Sequence, residues 1–231
     1  MALFSNNTPS EDPVWTSASD MMAGLMMIFL FIAIIYIQNI GQYFDAVSDL
    51  QDQICRDLST EFEEEKNKWN MTVCENGLLI RFDNDSIFES NSAVLSAEFK
   101  VILSSFFPRL LDVIWKYKEN ISELRIEGHT DSSHLFATEL EGYLYNTGLS
   151  QSRSRKVMEY SLNLKPIDSR EEYLEWAFHN ITAHGMSSSE PVLTESMIED
   201  QTRSRRVEFR LRTKAEDNLI ELVKEIGGNE T

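Results

Sequence analysis

The sequence contains no lysine or arginine before Arg56, although the chain has 231 residues. A secretory signal peptide begins with a basic segment, so the missing cations argue against one. For the same reason, the distribution of basic residues around a membrane span cannot indicate its orientation. Over the whole chain, 21 basic residues stand against 38 acidic ones, which gives a formal net charge of −17. Such an acidic chain is a poor partner for nucleic acid and for anionic lipid surfaces.

Cysteine is also scarce, because Cys55 and Cys74 are the only two in the sequence. They form no C-x-x-C pair, which argues against a cysteine-based zinc site. Two cysteines are compatible with one disulfide in an oxidising compartment, within one chain or between two copies, or with two unpaired thiols. The four histidines are His129, His134, His179 and His184. No third set of ligands accompanies them in the sequence, so we expect no metal site.

A single apolar run, within residues 14–40, is long enough to cross a membrane. From Met21 to Ile37 the only polar group is the hydroxyl of Tyr36. At ~1.5 Å per residue, about 20 apolar residues cross a hydrocarbon core of ~30 Å. Asp20 lies between Trp15 and Tyr36, whose rings are typical of the two aromatic belts of a membrane helix.

An aspartate inside a membrane span costs on the order of 2.5–3.5 kcal/mol near the bilayer centre. A simple anchor gains nothing from that cost. We therefore predict that Asp20 is an ion-carrying residue that faces a partner helix. The alternative is an anchor that begins at Met21, with Asp20 as an ordinary N-cap at the interface. The positions of Trp15 and Tyr36 favour the deeper placement.

The segments on either side of the span differ in character. Residues 1–13 are predicted to be a flexible cytoplasmic tail, because Pro9 and Pro13 prevent a helix from extending upstream. Residues 41–69 are predicted to be a helical stalk. Its apolar residues recur every three or four positions, at Phe44, Val47, Leu50, Ile54, Leu58 and Phe62. This stripe either pairs with a second copy as a coiled coil or packs on the following domain, and the pattern alone does not decide between them.

The remaining sequence alternates between strand and helix patterns, which predicts an α+β fold. Strands are expected within residues 72–82, around an Asn76-Gly77 turn, and at 121–127, 181–184 and 206–212. Helices are expected from Asn91 or Ser92 towards Tyr117 with a kink at Pro108, then at 149–164 and 169–180. The tail at residues 214–231 has the spacing of a short amphipathic helix.

Four sequence fragments occur in a set order, at residues 82–88, 126–131, 146–153 and 184–191, the last followed by 203–208. They read Phe-Asp-Asn-Asp-Ser-Ile-Phe, Ile-Glu-Gly-His-Thr-Asp, Asn-Thr-Gly-Leu-Ser-Gln-Ser-Arg, His-Gly-Met-Ser-Ser-Ser-Glu-Pro and Arg-Ser-Arg-Arg-Val-Glu. Together they resemble the OmpA-like peptidoglycan-binding domain. The resemblance implies a βαβαβ-type fold over residues 70–213.

The resemblance also implies a binding site for diaminopimelate, which carries an ammonium and a carboxylate on one carbon. Asp131 would bind the ammonium and Arg153 the carboxylate. The other implied site residues are Tyr145, Asn146 and Leu149 in the pocket wall, with Thr130 and Arg206 in support. A carboxylate at a strand end and an arginine near a helix start suit such a ligand. The chain departs from the family by insertions at 132–142 and 163–180 and by Ser204 in place of asparagine, which affects the rim.

A wall-binding domain behind one span with an intramembrane aspartate is similar to the B-subunits of ion-driven stators, such as flagellar MotB. This resemblance implies a homodimer within a ring of MotA/ZorA-like A-subunits, five around two copies of this chain. It implies translocated H⁺ or Na⁺, with no other cofactor and no enzymatic activity. The chain would lie in a bacterial inner membrane, with its N-terminus cytoplasmic and its C-terminal domain periplasmic.

Within that family, the absence of a basic N-terminal tail and the insertions in the wall-binding domain are similar to ZorB proteins of the Zorya anti-phage system. A flagellar MotB-type subunit and a passive wall anchor are the alternatives. Energy-transducing relatives such as ExbD and TolR lack the wall-binding fragments. A hydrolase is the least favoured class, because no nucleophile–base pair stands out from the binding pattern.

Overall fold

The computed structural model describes residues 12–75, 77–83, 87–89, 92–133 and 136–227. The chain divides into two compact units, Met1–Asp49 and Leu50–Thr231. Helix α1 (Asp12–Glu61) supplies all the described structure of the first unit. Pro13 lies in its first turn, where the fixed φ of proline suits a helix start. Residues 1–11 of the predicted tail lie outside the described residues.

In the first unit, the apolar side chains of α1 from Met21 to Ile37 are exposed all around the helix. Within Ser17–Glu61, α1 contains a stretch that is long and apolar enough to cross a membrane. The exposed set includes Met22, Leu25, Ile28, Phe31 and Ile35. A helix that is apolar on every side requires apolar surroundings, and for a stretch of this length a bilayer provides them.

The second unit contains a five-stranded sheet with the order β1-β2-β5-β3-β4. Its strands are β1 (Met71–Val73), β2 (Leu79–Phe82), β3 (Ile121–His129), β4 (Ile181–Ser187) and β5 (Val207–Thr213). Strands β3 and β4 are parallel, whereas the β1–β2, β2–β5 and β3–β5 pairs are antiparallel. The helices are α2 (Ala97–Trp115), α3 (Glu139–Leu162), α4 (Lys165–Asp168), α5 (Glu171–Asn180), α6 (Gln201–Ser204) and α7 (Lys214–Gly227). The predicted α+β class is confirmed.

Aromatic side chains from α2 and from the sheet form the centre of the core. The ring of Phe106 lies 4.9 Å from that of Phe82 and 5.0 Å from that of Phe209, centroid to centroid. Helix α2 starts later than the predicted Asn91 or Ser92. Its N-cap is Ser96, whose Oγ accepts a hydrogen bond of 3.1 Å from the backbone N–H of Phe99. Such a cap satisfies an otherwise unpaired N–H of the first turn.

The C-terminal half of the predicted stalk belongs to this core. Ile54, Leu58 and Phe62 are fully buried among the core residues. The compact unit therefore begins at Leu50 and not at the predicted residue 70. For this part of the apolar stripe, the structure favours packing on the following domain over pairing with a second copy.

Helix α3 begins ten residues before the predicted residue 149. The sequence from Glu139 to Gly148 contains two glycines and no clear apolar stripe. The pattern therefore predicts a helix that is too short at its N-terminal end. The first turn is stabilised by its N-cap, because Thr138 Oγ1 accepts a hydrogen bond of 3.2 Å from the N–H of Glu141. The added turns carry the helix past the end of β3, where the site lies.

Candidate functional site

The N-terminal half of α3 is fastened to strands β3 and β4 by side-chain hydrogen bonds. Asn146 Nδ2 donates to the backbone oxygen of Asp131 at 3.1 Å. The N–H of Ser187 donates to Ser150 Oγ at 3.0 Å. Gln151 accepts a hydrogen bond of 2.8 Å from the N–H of Gly185 on β4. These bonds fix the position of α3 relative to the end of β3, and both charged residues of the site depend on it.

Asp131 follows β3 and is buried, yet its carboxylate is surrounded by donors. Its Oδ1 accepts hydrogen bonds from Ser133, at 3.1 Å from the backbone N–H and 2.6 Å from Oγ. Its Oδ2 accepts a hydrogen bond from Arg205 Nη1. Hydrogen bonds to both oxygens fix the position of the carboxylate at the end of the strand.

Arg153 provides the opposite charge from α3 and is also buried. Its Nε donates to the backbone oxygen of Ser92 at 3.0 Å, and its guanidinium lies 4.8 Å from the ring centroid of Phe88. Burial lowers the pKa of Arg153 below its ordinary value, while the negative charge of Asp131 opposes that shift. Asp131 and Arg153 therefore act on each other electrostatically, with their charges held by separate hydrogen bonds.

The other predicted residues occupy different positions around this pair. Thr130 is buried, and its N–H donates to the Ser187 oxygen at 2.9 Å. Leu149 is half-buried on α3. The side chain of Tyr145 is 43% exposed, and its ring lies 4.9 Å from that of Phe136 in the predicted insertion at 132–142. The exposed rings thus form part of the site's rim.

Arg206 does not reach Asp131 through any described contact. Its Nε donates to Glu208 Oε1 at 2.6 Å, and its Nη1 donates to the backbone oxygen of Glu190 at 3.0 Å. Arg205, the residue before it, contacts Asp131 instead. The sequence contains the Arg-Arg pair, but only the folded backbone between α6 and β5 shows which arginine contacts Asp131.

A second polar cluster lies on β3 and β5, and the sequence analysis did not predict it. Glu127 and Glu208 are directly opposite on the two strands. His129 Nε2 lies 3.9 Å from Glu127 Oε2 and 3.6 Å from Glu208 Oε2, and all three side chains are buried. Arg210 donates to both carboxylates at 3.0 Å. The alternation of the two strands carries this signal, since Glu127 and His129 share one face with Glu208 and Arg210.

The donor atoms of Glu127, His129 and Glu208 lie within 4.8 Å of one another, which is compact enough for a metal ion. However, Arg206 and Arg210 already balance the two carboxylates. A cation would have to displace a guanidinium, so the arrangement suits an ion-pair network better than a metal centre. His134, another histidine that the sequence analysis considered as a possible metal ligand, lies outside the described residues.

In the first unit, Asp20 lies on α1 beside exposed apolar side chains. Trp15 and Tyr36 are both exposed on the same helix. Their 21-residue separation corresponds to ~32 Å along the helix axis. This is close to the thickness of a hydrocarbon core, and Asp20 lies inside the interval.

A disulfide joins Cys55 on α1 to Cys74 just after β1, with an S–S distance of 2.06 Å and a Cα–Cα distance of 5.9 Å. It links the end of the long helix to the first hairpin of the sheet. Disulfides persist in oxidising compartments such as the bacterial periplasm and are rare in the cytoplasm.

No family model matches the sequence. A Zorya protein ZorB from Escherichia coli (strain Crooks) is 37% identical over 220 residues, covering 91% of this chain and 92% of that protein. A second ZorB, from Escherichia coli O139:H28, is 27% identical over 157 residues, covering 64% of this chain and 61% of that protein.

Among solved structures, a MotB-like protein from Desulfovibrio vulgaris has a TM-score of 0.50 and 21% identity, covering 72% of this chain and 96% of that one. This likeness shows that the second unit has the MotB-like fold, as the OmpA-like resemblance implied. The sequence similarity extends along nearly the whole chain and therefore includes the apolar helix. The chain belongs to the ZorB family.

Proposed function

We propose that the chain is the B-subunit of an ion-driven rotary motor in a bacterial inner membrane, anchored to peptidoglycan and serving the Zorya anti-phage system. The observation that carries the proposal is Asp20, an acidic side chain within an otherwise uncharged stretch of membrane-spanning length on α1. ZorB membership supports the choice of the defence system over a flagellar role.

Asp20 is the proposed ion carrier, for H⁺ or Na⁺. A neutralised carboxyl group enters a low-dielectric environment at far lower cost than a charged one. Binding and release of a cation would therefore switch Asp20 between two preferred environments. A membrane potential provides ~2.3 kcal/mol per charge per 100 mV, which is enough to bias such a cycle.

The disulfide supports the proposed orientation. Cys55 and Cys74 both lie after the apolar stretch, and their bond is compatible with the periplasm but not with the reducing cytoplasm. We therefore place the second unit in the periplasm and the N-terminus in the cytoplasm. In this orientation, the second unit faces the cell wall.

The pocket at Asp131 and Arg153 is the proposed peptidoglycan anchor. A buried carboxylate and a buried guanidinium lie close enough to affect each other. They match the ammonium and carboxylate that diaminopimelate carries on one carbon. The helix α3, fastened to β3 through Asn146, keeps the two charges in register for that ligand.

The proposed partners are a second copy of this chain and a ring of A-subunits, five around the two copies. A single α1 in lipid would expose Asp20 to hydrocarbon, whereas two such helices inside a ring bury both carboxylates at protein interfaces. A mass measurement of the detergent-purified complex tests the count. One copy of this chain per complex would contradict the arrangement.

The motor function is tested by Asp20→Asn in cells that carry the chain with its neighbouring genes. We expect loss of protection against phage, with expression and complex assembly unchanged. Asp45→Asn is the matched control, because Asp45 is an exposed acid on the same helix beyond the apolar stretch. Full protection by Asp20→Asn would instead support a passive wall anchor. Loss of swimming rather than of protection would support a flagellar subunit.

A further inference from the structure

We infer that the disulfide between Cys55 and Cys74 is a mechanical clamp, which passes load from the membrane segment of α1 into the sheet that carries the wall-binding pocket. This inference rests on the proposed motor function, because a motor fixed to the wall puts the connection between membrane and anchor under load. The clamp allows the chain to resist a pull under which the noncovalent packing of α1 alone would yield.

The disulfide lies where a pull on α1 first meets the core of the second unit. The chain enters that unit at Leu50. Along α1 from there, Ile54 is the first fully buried side chain, and Cys55 comes directly after it. Tension that arrives along the helix therefore reaches the S–S bond before it reaches the rest of the buried stripe.

Without the disulfide, a pull would peel α1 from the core one turn at a time. Ile54, Leu58 and Phe62 are each four residues apart, so each turn that opens releases one fully buried side chain. The energy that one ion gains in crossing a membrane potential is comparable to the cost of exposing one such side chain. The driving force of the motor is therefore sufficient to loosen this packing.

The polar contacts of the same segment do not prevent peeling. Glu61 Oε1 accepts a hydrogen bond of 2.6 Å from Arg109 Nε, and Asp57 Oδ2 accepts one of 3.0 Å from Tyr117 Oη. The side chains of Glu61, Arg109 and Asp57 are all about one third exposed. Water competes for charges at such positions, so these contacts add little resistance.

The disulfide takes the load away from this packing. Leu58, Phe62 and Trp69 lie between the two cysteines in the sequence, so tension that passes through the S–S bond bypasses them. The covalent bond does not open under a load of this size, and its exchange requires an attacking thiolate. The chain contains no third cysteine that could provide one.

Beyond the bond, the load enters the sheet. Cys74 follows β1, and its N–H donates to the backbone oxygen of Leu79 on β2 at 2.7 Å. Strand β1 pairs with β2, β2 with β5, and β5 with β3. Asp131 of the proposed pocket comes shortly after the end of β3. A continuous set of backbone hydrogen bonds therefore connects the clamp to the strand that leads into the wall-binding pocket.

The first test is the Cys55→Ala/Cys74→Ala double variant in cells that carry the chain with its neighbouring genes. We expect loss of protection against phage, with complex assembly and retention on wall sacculi unchanged. Ile167→Ala is the matched control, because it truncates a fully buried side chain on α4, outside the closed loop, and costs stability on a similar scale. The control should still protect. Full protection by the double variant would overturn the clamp.

A thiol-labelling measurement tests whether the load itself opens the helix. The double variant has no cysteine, so Leu58→Cys adds a single thiol at a fully buried position of α1. In the same cells, a membrane-impermeant maleimide should label this thiol at least about tenfold faster with Asp20 intact than with Asp20→Asn. Leu103→Cys is the control, because Leu103 is equally buried on α2 and reports opening of the whole domain.

The outcomes separate the clamp from the motor function. Labelling that depends on Asp20 at Leu58→Cys, but not at Leu103→Cys, supports the clamp. Equal labelling at Leu58→Cys with and without Asp20 overturns the clamp, as does dependence on Asp20 at both positions, because the whole domain then yields. Full protection by Asp20→Asn in a chain that keeps its disulfide overturns the motor function, and the clamp with it.

Discussion

Gly128 on β3 lies directly against the backbone of Ser150 on α3. A Cβ atom added at Gly128 would lie 2.5 Å from the carbonyl oxygen of Ser150. The clashing atom belongs to the helix backbone and cannot move aside as a flexible side chain would. The strand and helix are therefore as close as glycine permits, which sets the spacing between Asp131 just after β3 and Arg153 on α3.

Gly128→Ala should push α3 away from β3 and weaken both the fold and ligand binding. Overpacking of a well-packed interior costs about 1–3 kcal/mol. The free energy of unfolding, measured by denaturant titration of the purified chain, checks the size of the effect. Gly148→Ala is the control on the same helix, since its added Cβ would meet nothing within 4 Å. We expect this control to be neutral or slightly stabilising, and equal stabilities of the two variants would contradict the close approach.

Arg153→Ala should abolish retention of the chain on purified wall sacculi. Removing one partner of a buried charged contact costs roughly 2–5 kcal/mol. Arg155 is an exposed arginine two residues further along α3, so Arg155→Ala removes the same charge from the same helix without touching the pocket. A pelleting assay with the detergent-solubilised chain compares the variants. Equal pelleting of the Arg153→Ala variant and the wild type would exclude this pocket as the anchor.

Stability should fall in acid through Glu127, which lies in the buried cluster with His129, Glu208 and Arg210. Burial alone would raise the pKa of Glu127, but the His129 ring and the Arg210 charge outweigh it and hold the pKa below the ordinary value of 4.5. A carboxyl group with a lowered pKa in the folded state stabilises the fold above its unfolded pKa. That contribution is lost as the pH falls through the lower, folded pKa.

The test is the pH dependence of the unfolding free energy of Glu127→Gln, measured from pH 7 to pH 3. The variant should be less stable at neutral pH, and its deficit relative to the wild type should shrink in acid. Glu119→Gln is the control, because Glu119 is an exposed glutamate before β3. A deficit that stays constant over the whole range would show that Glu127 does not titrate with folding.

The sequence predicts elements best where local pattern and tertiary burial agree. The β1–β2 hairpin, the alternating strands β3 and β5 and helix α5 all follow their patterns closely. Helix α3 begins early because its first turns depend on the Thr138 cap and on hydrogen bonds to β3 and β4. Neither source of stability produces an apolar stripe in the sequence.

The candidate site is only partly encoded in its motifs. Asp131 and Asn146 lie together because α3 is the helix that follows β3 in the chain, and Arg153 lies about two helical turns further along α3. Which arginine of the pair contacts Asp131 depends on the fold of the backbone between α6 and β5, and the motif does not specify it. The burial of Ile54 and Phe62 depends on what covers the apolar stripe, and periodicity does not contain that information.

The disulfide between Cys55 and Cys74 should be present in protein extracted from membranes. The bond closes a loop between residues separated by 19 positions, so its removal should lower the free energy of unfolding on the order of 3 kcal/mol. We expect no thiol alkylation until reductant is added, and a lower melting temperature for the Cys55→Ala/Cys74→Ala double variant. Adding reductant should bring the wild type to the stability of that variant and leave the variant unchanged. Free thiols at both positions in membrane-extracted protein would contradict both the bond and the periplasmic placement that it supports.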